Sequence, residues 1–175
     1  HDTAAALMIN GEIVAACAQE RYTRDKHSYL FPIDATKDCL SIAGISINEV
    51  DMITVTWMPK LMIREQYLKN ALTNDNRLTF LINDLDLIKN MFDAENTIRK
   101  KLNYNGRIEC LNHHLCHLAS TYYSSGFDDA LIVSYDGVGE IDTMAIAIGE
   151  HGIISVKENG NKYPHSLGLL YAAVT

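Results

Sequence analysis

Apolar and polar positions alternate in short blocks along the 175-residue chain, and the period of each block predicts its element. Thr3 to Ile9 and Glu12 to Ala16 are apolar, strand-like runs separated by Asn10-Gly11. That pair predicts a hairpin, because a type I′ turn needs positive φ at both central residues. The polar, basic stretch Glu20 to Ser28 reads as a loop. Asp34 to Ala43 has helical spacing, with Ala35, Cys39 and Ile42/Ala43 on one face and Gly44 as its stop. Asp51 to Trp57 reads as a strand. Leu61 to about Leu102 is helical in pattern, with Leu85, Ile88, Met91/Phe92 and Ile98 at steps of three or four. A break is expected at Asn74-Asp75-Asn76.

Arg107 to Leu111 predicts a short strand and His113 to Ser124 a helix. Ala130 to Tyr135 predicts a buried strand running into Asp136-Gly137-Val138-Gly139-Glu140. Met144 to Ile148 and Ile153 to Val156 are two further strands joined at Gly152, and a helix starts at Ser166. A hairpin leading into alternating helices and strands is mixed α/β. Its restart near Asp128 suggests a duplicated architecture.

The segment Asn112-His113-His114-Leu115-Cys116-His117 carries the most chemistry. Asn112 can cap the helix that follows. His113 and His117 stand at i and i+4, one above the other and roughly 6 Å apart at Cβ. At about 100° per residue, Ser120, Thr121 and Ser124 share their face, and the apolar stripe Leu115, Leu118, Ala119 and Tyr122 lies nearly opposite. On spacing alone, two solvated histidines and a ligand pair are equal readings. The positive end of the helix disfavours an added proton on either ring, which leaves lone pairs for a metal. His114 points elsewhere and reads as structural.

Asp136 ends a buried strand and is followed by glycines, an arrangement that can hold a metal or bring backbone N–H groups close to phosphate oxygens. For a DGxG alone, a plain Asp-Gly turn is the commoner outcome. Two His and one Asp form a mixed N/O set suited to Fe, Zn or Mn, and no fourth ligand stands out. His1-Asp2 alone reads as a strand end. The basic residues Arg24, Lys26 and His27 could hold a phosphate or simply be solvated, and Ser166 reads as a helix cap. Trp57 reads as core or lobe interface. Cys116, although beside the histidine face, is not expected to be a ligand.

Composition narrows the class. There are 15 basic and 22 acidic residues, a net charge of −7, without a Lys/Arg cluster suited to nucleic acid. The apolar runs are too short to span a bilayer, and there is no leader-like start. Cys17, Cys39, Cys110 and Cys116 form no CxxC pair and read as reduced thiols of a cytoplasmic protein. Both ends look cut from a longer chain.

Five blocks together resemble a known family. They are His1-Asp2-Thr3-Ala4-Ala5-Ala6; Gln19 to His27; Asn112 to Ser120; Asp136 to Glu140; and Pro164 to Tyr171. In this order they are similar to the opening of the nodulation-type O-carbamoyltransferases. The resemblance implies an actin-like ATPase (ribonuclease H-like) fold. Residues 1–127 would form a first lobe lacking its first strand, and residues 128–175 the truncated start of a second. It implies carbamoyl adenylate formation from carbamoyl phosphate and ATP, then carbamoyl transfer to a hydroxyl-bearing small-molecule acceptor. The carbamoyl-phosphate domain and the adenine site would lie outside this chain, leaving the fragment alone inactive. His113, His117 and Asp136 would be metal ligands, iron by family habit with Zn or Mn also compatible. His1 would be the base for the acceptor hydroxyl. Gly137, Val138 and Gly139 would line the phosphates of ATP, with Mg on the nucleotide. No nucleic acid or membrane partner is implied, and a homodimer is compatible. Another actin-fold enzyme, such as a tRNA threonylcarbamoyl transferase or a sugar kinase, or a non-catalytic nucleotide- or metal-binding module, stays open.

Overall fold

The computed structural model describes residues 3–26, 30–69, 79, 82, 83 and 85–175. The expected break at Asn74-Asp75-Asn76 lies outside the described residues. The chain packs as two compact units, residues 1–53 with 95–107 and residues 54–94 with 108–175.

In the first unit, β1 (Ala4–Ile9) and β2 (Glu12–Ala18) form the expected antiparallel hairpin. Asn10 and Gly11 both take positive φ, 54° and 86°, as the turn requires. A register shift between Leu7 and Met8 leaves one extra residue in β2, a bulge. The stretch expected to be a loop instead winds one helical turn, α1 (Glu20–Thr23). The turn is anchored by Gln19, which is fully buried. Its backbone carbonyl accepts from the N–H groups of Tyr22 and Thr23, while its side-chain amide joins Asp34 and the Ala35 N–H. Next, α2 (Ile33–Ala43) packs Ala35 and Cys39 onto the hairpin and ends at Gly44 with φ 68°. Burial pushes the Cys39 thiol up to about 11, and all four cysteines are free thiols. A short 3₁₀ turn, Ile47–Glu49, is closed by a Ser46/Glu49 capping box.

β3 (Met52–Val55) pairs with β4 (Arg107–Cys110). The predicted long helical region contains α3 (Pro59–Met62), which continues as a π-helical segment, Ile63–Leu68. It also contains α4 (Leu85–Phe92) and α5 (Ala94–Leu102), which are separate elements.

The second unit is built on α6 (His113–Ser125) and three antiparallel strands. These are β5 (Asp129–Tyr135), β6 (Met144–Glu150) and β7 (Ile153–Asn159), and α7 (Leu167–Val174) follows them. His151 and Gly152 repeat the positive-φ pair of the first hairpin. The chain is therefore α/β as expected, and among the described residues its strands pair as three small sheets. Tight two-residue turns join β1 to β2 and β6 to β7, and such turns force local antiparallel pairing.

The core of this unit lies where the apolar stripe of α6 meets the sheet. Leu118 and Tyr122 pack on Ile132, Ala145 and Ala147, with Ala130 and Ile154 around them. Gly149 is required here, because a Cβ would stand 2.5 Å from the Tyr122 ring. Leu118 is only 1% exposed. Leu118→Ala should therefore lower stability by about 2–5 kcal/mol, the range for a leucine cavity that cannot collapse, seen as a lower urea midpoint. Among the described residues, no helix is long and apolar enough to cross a membrane.

Candidate metal centre

Three sequence-predicted residues, His113, His117 and Asp136, meet in the second unit. Asn112 caps α6 by accepting from the Leu115 N–H at 2.9 Å, which sets the helix start one residue before the first histidine. One turn later comes His117, so both imidazoles project from one face. β5 delivers Asp136 opposite them. His113 Nε2 lies 2.7 Å from Asp136 Oδ2, His117 Nε2 lies 3.2 Å from the same oxygen, and the two Nε2 atoms are 2.9 Å apart. His113 is nearly buried, and His117 stands half in solvent.

Hydrogen bonds fix which atoms point inward. His113 Nδ1 faces the Thr56 carbonyl at 3.2 Å. A carbonyl only accepts, so Nδ1 carries the hydrogen, and Nε2 of a neutral ring presents a lone pair. Nε2 lies 2.7 Å from a carboxylate oxygen, a separation that calls for either a proton or a metal ion between the two acceptors. Trp57 lies against the His113 ring, with centroids 4.2 Å apart and planes tilted by 34°. Trp57 is only partly buried and so stands outside the fully buried core. Gly137 donates its N–H to Asp136 Oδ1 at 2.6 Å, which leaves Oδ2 for the imidazoles. Burial alone would push the Asp136 carboxyl up. Hydrogen bonds from His113, the Gly137 N–H and His117 outweigh it and hold the carboxyl below its ordinary value.

The donor set suits an ion. For bonds of about 2.1 Å, adjacent ligands on an octahedron lie about 3.0 Å apart and on a tetrahedron about 3.4 Å. The observed 2.7, 2.9 and 3.2 Å edges are close to those of one face of an octahedron. Cys116 is a poor fourth donor, since burial, helped by the charge of Glu140, pushes its thiol up and keeps it protonated.

The other candidate residues fall as follows. His1, Asp2 and His27 lie outside the described residues. Arg21, Arg24 and Lys26, with Glu20, line a surface cavity of about 410 Å³ in the first unit. His114 is structural: it is 2% exposed, accepts from Ser134 Oγ at 2.9 Å and donates Nε2–H to the Asp142 carbonyl at 2.8 Å. Gly139 has a packing reason of its own, because a Cβ there would stand 2.9 Å from the His114 ring. Gly137 has none, its nearest neighbour being Leu169 Cδ2 at 3.8 Å. Ser166 caps α7 through the Leu169 N–H and also donates to the Asp136 carbonyl at 2.7 Å. Thr56, Trp57, Glu140 and Gly168 also belong to this neighbourhood. No periodic pattern along the chain marks them.

An α/β chain with a two-histidine, one-carboxylate centre on a strand end and a helix start is the class that fold and site define. The carbamoyltransferase N-terminus family matches residues 1–175, and the chain belongs to that family. It is 35% identical over its whole length to sll1178, an uncharacterized protein of Synechocystis sp., of which it covers 30%. It is 30% identical over 98% of its length to the nodulation protein NolNO of Sinorhizobium fredii, covering 24% of that protein. A 19.2 kDa uncharacterized protein of Rhizobium etli shares 38% identity over 53 residues, 30% of this chain and 31% of the relative. The chain thus spans less than a third of each of these three relatives.

Proposed function

We propose that this chain is the metal-bearing N-terminal part of an ATP-dependent O-carbamoyltransferase with an actin-like fold. Its lobes would be residues 1–127 and 128–175. Family membership over all 175 residues supports the reaction class. The observation that carries the site is the meeting of His113 Nε2, His117 Nε2 and Asp136 Oδ2 within 3.2 Å of one another.

In the proposed reaction, water hydrolyses carbamoyl phosphate to carbamate and inorganic phosphate; the carbamate then attacks the α-phosphorus of ATP, and pyrophosphate leaves. The acceptor hydroxyl then attacks the carbamoyl carbon, AMP leaves, and the hydroxyl proton passes to a base, for which His1 is the candidate. A bound Fe, Mn or Zn ion would act as a Lewis acid toward a carbamoyl or phosphoryl oxygen. The chain's own groups prepare the site. Thr56 holds the His113 tautomer, Trp57 orients its ring, and Gly137 turns the Asp136 carboxylate. The open backbone at Gly137 is proposed to admit a phosphate, beside Val138 and Gly139.

The full-length protein incubated with ATP and carbamoyl phosphate should yield carbamoyl adenylate by mass spectrometry. A chelator should suppress it. No adduct in any condition would remove this reading and favour a kinase-like or non-catalytic use of the same centre.

A further inference from the structure

Glu140 closes the Asp136 turn and has no part in the reaction just described, yet it is only 1% exposed. A buried carboxylate is strongly destabilising unless donors satisfy its oxygens. Here the donors come from two segments of the chain. The Met58 N–H reaches Oε1 at 2.8 Å. The His113 N–H reaches Oε1 at 3.1 Å and Oε2 at 3.3 Å, and Asn112 Nδ2 reaches Oε2 at 3.1 Å. Asn112 and His113 are the cap and first residue of α6, where backbone N–H groups lack intrahelical partners and a negative charge is favoured. Met58 directly follows Thr56 and Trp57, the two residues that hold the His113 ring. The Glu140 carbonyl in turn accepts from Gln66 Nε2 at 2.6 Å. One side chain therefore joins the start of the histidine helix, the segment that orients its first imidazole, and the turn that carries Asp136.

We propose that Glu140 is a positioning residue of the metal centre, locking α6 and residues 56–58 against the Asp136 turn so that the three donor atoms converge. The proposal rests on the metal-centre reading above. The simpler role, a helix cap that only adds stability, makes a different prediction. Glu140→Gln preserves shape and one acceptor oxygen but removes the charge. It also sets an amide NH₂ against Asn112 Nδ2, which cannot turn round because Asn112 Oδ1 is held by the Leu115 N–H.

The test is Co(II) titration of the metal-stripped full-length protein, read by the visible absorption of the bound ion, with Leu118→Ala as a comparator that destabilises the same helix from its core face. Glu140→Gln should weaken Co(II) binding by about 10–100-fold, the usual effect of losing an outer-shell partner, and should change the shape of the Co(II) band. Leu118→Ala should lower the melting temperature but leave the affinity within about twofold, since its core contacts are made away from the ligands. Should Glu140→Gln fail to fold, Glu140→Asp, which keeps the charge but withdraws it by one bond, should still bind Co(II) more weakly than the parent. Parent-like affinity in the folded Glu140 variant, or an equal loss in Leu118→Ala, would overturn the proposal. A parent protein that takes up no Co(II) would sink the metal-centre reading, and this proposal with it.

Discussion

The double variant His113→Ala/His117→Ala of the full-length protein should hold no transition metal above background after purification and reconstitution. Losing an outer-shell partner alone typically weakens a metal site by about 10–100-fold, so loss of two of three direct donors should exceed that range. The fold should survive. Neither ring belongs to the core formed by Leu118, Tyr122, Ile132, Ala145 and Ala147. His117 is 47% exposed at its side chain. Its single replacement should change stability by less than about 0.5 kcal/mol, as at ordinary surface sites. His113→Ala also removes the Trp57 ring contact and the Thr56 hydrogen bond, together worth about 1–2 kcal/mol. Elemental analysis beside urea unfolding separates the two effects. Equal metal in parent and double variant would show that the three side chains meet for some other reason, such as a shared proton.

Much of this was legible because it is written in local patterns. Asn10-Gly11 announced a turn, Gly44 a helix stop, and Asn112 a cap, each through a preference that acts within a few residues. The helical period put Leu118 and Tyr122 on one face and His113 and His117 on another, and both assignments match the structure. What local pattern cannot carry is contact between distant segments. The Thr56 partner of His113 is a backbone carbonyl 57 residues away, so no side chain at that position records it. Glu140 looked like the end of an Asp-Gly turn, since its donors, Met58 and Asn112, lie 82 and 28 residues back. The turn at Glu20–Thr23 was hidden for a similar reason, because Gln19 is fixed by Asp34 and Ala35 of the next helix.

Gly168 supplies the second large effect, and it acts through backbone alone. The first turn of α7 presses on the Asp136–Gly137 peptide so closely that a Cβ at residue 168 would stand 2.5 Å from Asp136 C and Gly137 N, and 2.7 Å from Asp136 O. Unbonded carbons prefer about 3.5–4.0 Å, and the atoms in the way are main chain, with no rotamer to yield. The helix cannot easily retreat either, because Ser166 Oγ holds the Asp136 carbonyl at 2.7 Å and Thr143 Oγ1 holds the His165 carbonyl at 2.8 Å. Gly168→Ala must therefore move the peptide that carries the Asp136 carboxylate. The expected cost is about 1–3 kcal/mol of stability, typical of overpacking. Metal affinity should fall at least about tenfold, as when a ligand's support is lost. Gly137→Ala is the informative comparator, since the nearest atom to its new Cβ would be Leu169 Cδ2, at 3.8 Å. It should fold and bind metal like the parent. If the open backbone there serves a nucleotide phosphate, it should weaken ATP binding instead. The two glycines thus separate a residue needed for packing from one needed for a ligand. Gly168→Ala with unchanged metal affinity would mean that the helix yields and the Asp136 peptide does not.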